Sequence, residues 1–175
     1  MKFFGPLSRL IALAGLLSAV LFSAPVMAGK ADIALLQSYI GSWKGKGVMI
    51  GAEKETVVCR LTLSQGNQDK VNYSGRCSMA GTNVAVNGTI AYIDAKKRYE
   101  AAMTSNVTFT GTAIGQKSGG GVVFNLKERE TDTDGNDLTI NAQIALNKSK
   151  ISVEFNVVFN ATGDMIKASV PFTKS

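Results

Sequence analysis

Two cysteines, thirteen acidic side chains, four tyrosines and no histidine delimit the chemistry open to this 175-residue chain. Without histidine there is no Ser-His or Cys-His nucleophile and no histidine-ligated zinc or copper. A hydrolase would need a lysine or carboxylate base, and neither falls on an apolar stripe beside a nucleophile. The residues therefore read as those of a non-enzymatic protein with no metal site and no cofactor. Cys59 and Cys77 each lie nine positions from Gln68, within the turn signal Gln65-Gly66-Asn67-Gln68-Asp69. That places them directly opposite on neighbouring antiparallel strands, close enough to bridge. In an oxidising compartment a disulfide is the expected state, and no Cys-x-x-Cys spacing points to redox thiols. Closing a loop of this size stabilises by about 3 kcal/mol in the chain-entropy view.

The same register sets Arg60 opposite Arg76, and like charges in that relation are mildly destabilising. Two readings stay open: exterior arginines splayed toward nearby acids, or contact with an anion or acidic surface. Glu130-Thr131-Asp132-Thr133-Asp134-Gly135 matches the start of a calcium loop. Its twelfth place, however, is Asn141 rather than glutamate, so a hairpin turn is the better reading. Asn-x-Ser/Thr sequons at Asn72, Asn87, Asn106, Asn147 and Asn160 matter only where the host glycosylates secreted proteins.

The elements that position these residues begin after a leader. Lys2 and Arg9, the apolar run Leu10 to Phe22 and the small residues around Ala28 form the pattern of a secretory signal peptide over residues 1–28. The run is too short to span a bilayer, which takes about 20 residues, and no later segment qualifies as transmembrane. No cysteine follows the cleavage site, which argues against a lipid anchor. Residues 29–175 then form a single domain in the periplasm or outside the cell. Losing Lys2 and Arg9 lowers the formal charge from +6 to +4. The remaining basic residues are scattered without interleaved aromatics, which does not fit a nucleic-acid reader.

Residues 31–40 predict a short helix with Ile33, Leu36 and Ile40 on one face. Beyond it the period is two. Apolar stripes run through Val57 to Leu63, Val71 to Cys77, Val84 to Tyr92, Tyr99 to Met103, Val107 to Gly111, Val122 to Leu126, Leu138 to Ile144, Ile151 to Phe159 and Ile166 to Phe172. Turn residues separate them at 65–69, 80–83, 94–97, 117–121, 132–136, 147–149 and 161–164. Short connectors imply hairpins. The expectation is an all-β, antiparallel up-and-down meander of about eight to ten strands closed into a barrel. Asn87-Gly88, a favoured hairpin turn, leaves open whether one strand is split.

Gly41-Ser42-Trp43-Lys44-Gly45-Lys46-Gly47, after a short helix and before the meander, resembles the opening of calycin-type barrels. It is similar to small bacterial barrels related to nitrobindin and the lipocalins, as is Tyr92-Ile93-Asp94-Ala95-Lys96-Lys97-Arg98-Tyr99. The resemblance implies that Trp43 closes one end under the helix and that the barrel holds a small apolar ligand. Haem held by a histidine, as in nitrobindin, does not carry over to a chain without one. Small residues on the stripe (Gly75, Gly88, Ala101, Gly111, Ala113, Ala142, Ala168) either leave a cavity or fit the taper of a filled core. The candidate cavity residues are Tyr73, Tyr92, Tyr99, Met103, Phe109, Phe124 and Phe155. An interaction protein competes with this reading. Cys59-Arg60-Leu61-Thr62-Leu63 and Gly75-Arg76-Cys77 resemble the bridge of small secreted metalloprotease inhibitors, which are shorter barrels. Their inhibitory trunk would fall at Gly29 to Asp32. A plain envelope structural role is the third alternative, and a monomer or weak dimer is expected.

Overall fold

Strict alternation over ten successive segments builds ten strands, and the last returns to the first. The computed structural model describes residues 27–79, 81–106 and 110–175. The expected leader falls outside these, except that Met27 and Ala28 begin the helix α1 (Met27–Gln37). The strands are β1 (Gly41–Ile50), β2 (Lys54–Gln65), β3 (Val71–Met79), β4 (Thr82–Ile93), β5 (Arg98–Ser105), β6 (Thr110–Ser118), β7 (Gly121–Thr131), β8 (Asp137–Asn147), β9 (Lys150–Phe159) and β10 (Met165–Lys174). Each pairs antiparallel with its chain neighbours, and β1 pairs with β10, so the sheet is a closed barrel. The expected all-β meander is thus found, with ten strands. The stripe expected from Val107 lies mostly outside the described residues, with β6 beginning at Thr110.

Asn87-Gly88 does not split its strand: β4 runs unbroken through both. Gly88 stands opposite Tyr73, whose hydroxyl donates to the Ala102 carbonyl at 3.0 Å. A Cβ on Gly88 would come within 2.0 Å of that carbonyl and 2.5 Å of the phenol oxygen. Glycine is needed here for close approach across the sheet rather than for a turn.

Cys59 and Cys77 are paired across β2 and β3, bridged, and turned into the lumen. Arg60 and Arg76 are paired in the same register and lie exposed outside. Inward side chains at the helix end form the tightest packing, with Trp43, Tyr99, Phe124, Val71, Val122 and Ile151 all buried. The Trp43 indole nitrogen donates to the Tyr39 carbonyl at 3.0 Å, which ties the barrel base to the end of the leading helical segment. The Lys174 ammonium covers the indole at 5.5 Å.

The buried face of the leading segment differs from the hydrophobic reading. Asp32, Leu36 and Tyr39 are buried, whereas Ile33 and Ile40 are only half-buried. Asp32 is drawn inward by two partners: the Tyr99 hydroxyl donates to its Oδ1, and Lys117 Nζ lies 2.6 Å from the same oxygen. Burial alone would raise the Asp32 carboxyl, but the hydrogen bonds from Lys117 and Tyr99 outweigh it and hold the group below the usual carboxylate range. Burial, reinforced by the bond to Asp32, pushes the Tyr99 phenol well above its ordinary value.

Two outcomes follow for stability. Replacing both cysteines by serine lowers the unfolding free energy by about 3 kcal/mol in urea titrations, and reduction of the native protein has the same effect. The second concerns pH. The depressed Asp32 contributes stability that is complete above its unfolded value near 3.8 and is lost as pH falls through the lower folded value. The raised Tyr99 contributes stability that is complete below its unfolded value near 10.0 and is lost as pH climbs toward the folded value. Tyr99→Phe should cost about 2 kcal/mol at neutral pH and flatten the alkaline limb of Tm against pH. An unchanged limb would show that this contact does not shape it.

Candidate functional site

Alternate hairpins place the β2–β3, β4–β5, β6–β7 and β8–β9 turns at the helix end and all other turns at the far end. Among the described residues the helices, α1 and a single 3-10 turn at Asp94–Lys96, both belong to the closed end. Among the described residues no helix lies at the far mouth. There the same apolar stripes change character. Met49, Cys77, Met79, Met103, Phe155 and Val157 turn inward but remain only half-buried. Further down the lumen Ile144 and Val153 are also half-buried. The lumen is therefore filled at the helix end, whereas toward the other end several inward apolar side chains keep partial contact with solvent beside buried ones such as Val57 and Ile140.

Glycines on the stripe do not create this partial exposure. A Cβ at Gly45 would meet the Phe172 ring at 2.8 Å, at Gly75 the Val86 side chain at 2.9 Å, and at Gly115 the Phe124 ring at 2.6 Å. Each glycine is already filled by a neighbour, as a taper requires. Ala142 and Ala168 are different: they flank Phe155 directly on β8 and β10 in the open half.

The candidate cavity residues divide by end. Tyr92, Tyr99 and Phe124 belong to the closed end, with ring centroids 5.1 Å apart for the tyrosine pair and 6.3 Å for Tyr99 and Phe124. Desolvation, followed by the nearby Asp32 charge, raises the Tyr92 phenol. Tyr73 is half-buried with its hydroxyl committed to Ala102, and burial raises its phenol strongly. Met103 and Phe155 are half-buried in the open half of the lumen. Phe109 lies outside the described residues.

Residues the hydrophobic pattern did not single out complete the picture. Glu128 and Glu130 share the inward parity of Val122, Phe124 and Leu126, and stand half-buried toward the mouth opposite Ile140 and Leu138. Glu55 takes the equivalent place on β2, opposite Met49. The open half of the lumen thus has acids at its rim. Their parity was readable in the sequence; their position relative to a mouth was not.

Two shallow depressions lie outside the barrel instead. One, about 770 Å³, is lined by the outward Asn125, Lys127, Asn141, Glu154, Asn156 and Lys167, among others. The second, about 740 Å³, presents Asn72, Asn87, Thr89, Thr104, Thr110 and Thr112. Apolar residues share both linings: Val48, Ile50, Ala142 and Phe155 in the first, Tyr73 and Met103 in the second. At the Asp132–Asn136 turn, the Asp132 carboxylate accepts from the backbone amides of Asp134 and Asn136, which makes it a self-capped hairpin connection.

No protein-family model and no curated protein matches the chain. Solved structures do. The crystal structure of Rv2717c from M. tuberculosis aligns over 85% of this chain and 97% of its own, at 10% identity and a TM-score of 0.64. The S-type phycobiliprotein lyase CPES from Guillardia theta aligns over 84% and 97%, at 10% identity and 0.49. A de novo designed fluorescence-activating β-barrel aligns over 80% and 96%, at 12% identity and 0.41. The mycobacterial likeness shows a shared barrel fold, consistent with the calycin-like shape, and the two looser ones add nothing to it.

Proposed function

We propose that this protein is an exported, non-enzymatic barrel that binds a small hydrophobic molecule in the open half of its lumen. One observation carries the reading: inward apolar side chains are buried at the helix end, while Met49, Met79, Met103, Phe155 and Val157 toward the other end stay half-exposed. Apolar wall in contact with water is unfavourable, and a ligand that covers it gains about 25 cal/mol per Å² buried. The rim acids Glu55, Glu128 and Glu130 disfavour a carboxylate or phosphate head at the mouth, which points to a neutral or cationic apolar molecule. Export is supported by the leader pattern and by a disulfide of the kind oxidising compartments produce. The inhibitor alternative loses support at its trunk. Gly29 to Asp32 lie in α1, and Asp32 is buried against Tyr99 and Lys117, so an extended trunk would have to break those contacts.

Native mass spectrometry of protein from its own host should show a retained small molecule on a chain starting at Gly29 with its disulfide formed. An apolar fluorescent probe should bind the emptied protein, and Met103→Trp or Ala142→Trp should weaken it about tenfold or more by filling the open half of the lumen. Probe binding untouched by both substitutions would overturn the lumen as the site.

A further inference from the structure

Outside the barrel, charge is distributed unevenly. The outer faces of the four adjacent strands β10, β1, β2 and β3 carry Lys167, Lys44, Lys46, Lys54, Arg60 and Arg76, all exposed, and no acid. Lys44, Arg60 and Arg76 stand directly opposite one another on three neighbouring strands. None of the six takes part in the ion pairs found among the described residues, although five other basic side chains do. The reading of Arg60 and Arg76 as splayed toward nearby acids therefore fails. Glu154, on β9, is the first acid met beyond this face on that side.

Unpaired like charges in direct register cost stability, and an external anionic surface would offset that cost. The apolar residues on the same face say which surface. The exposed large hydrophobics of the described chain are Ile50, Val58 and Met165, and all three lie here. Ile50 sits between Lys54 on one side and Lys167 on the other, while Val58 sits opposite Lys46. Bare aliphatic side chains alternate with cations. A soluble polyanion has no use for the aliphatic groups. A lipid interface takes both, with the ammonium and guanidinium groups at phosphates and the aliphatic tips among the upper acyl carbons.

We infer that the β10–β1–β2–β3 outer face docks on an anionic lipid bilayer surface. The full-length mature protein is sedimented with phosphatidylcholine vesicles made with and without phosphatidylglycerol. Binding should require the anionic lipid and weaken as salt is raised. Arg60→Ser with Arg76→Ser should weaken it about twenty-five-fold, near fivefold for each charge. Ile50→Ser with Val58→Ser should weaken it about tenfold or more without altering net charge. Lys127→Ser, which removes one charge from β7 across the barrel, should have little effect, and unchanged Tm values for each variant exclude unfolding. Equal binding to both vesicle types, or arginine variants that bind as the parent does, would overturn the inference. So would capture by polyglutamate without any vesicle binding, which would assign the face to an acidic protein.

Discussion

Closing an antiparallel sheet on itself removes its edges but leaves two ends, and each end must decide what happens to the apolar wall inside. Everything distinctive about this protein follows from the two ends being treated differently. At one, the Trp43 indole bonds the Tyr39 carbonyl and the Asp32 carboxylate receives Tyr99 and Lys117. A buried carboxylate among aromatic rings is unfavourable unless paired. Pairing with Tyr99 and Lys117 therefore favours the placement of α1 that sets Asp32 against Tyr99. Leu36 and Tyr39 supply the apolar cover, and the polar pair specifies where the cover sits. At the other end nothing comparable exists among the described residues, and one set of stripes ends in two environments.

Local patterning made most of this legible. Period-two runs and turn chemistry are near-neighbour properties, so strand parity and nearly all hairpin positions could be read from them. The cysteine pair added register, because a bridge across one hairpin fixes which residues face each other on β2 and β3. What could not be read was long-range. Asp32 and Tyr99 are 67 positions apart, and a helical face chosen by hydrophobicity selects Ile33 and Ile40 over a carboxylate. Asn87-Gly88 misled for a related reason. Its glycine answers to Tyr73 and Ala102 on neighbouring strands, not to a turn. Which end each inward residue occupies was nearly within reach. Strand direction alternates, so Tyr92 near the end of β4 and Tyr99 near the start of β5 had to share the helix end. Parity alone, taken without direction, grouped them with Met103 and Phe155.

Outside the barrel the same alternation creates faces whose content is free of packing constraints, so composition there reports on surroundings. Ion-paired cations cluster at other places: Lys96, Lys97 and Arg98 beside Asp94 and Glu100, and Arg129 beside Asp137. Exposed pairs of this kind contribute little to stability, but they show that cations elsewhere on this surface have acids to meet. The β10–β3 face differs in having none, and the exposed aliphatic residues fall there as well. Formal net charge would not have revealed this, because a modest excess of basic residues fits an evenly mixed surface equally well.

Face and lumen are also related in space. Ile50 ends β1 and Met165 begins β10, so both stand at the open end of the barrel, near the mouth that Met49 and Met79 help to line. A barrel resting on this face would bring that rim close to the lipid surface while α1 stayed at the remote, sealed end. An apolar molecule moving between bilayer and lumen would then avoid a long passage through water, where its exposed surface is least favourable. The rim acids would also act on its head group at the point of transfer. If both proposals hold, the sealed base, the half-exposed wall and the acid-free outer face would belong to one arrangement, with exchange at the end where lipid and lumen meet.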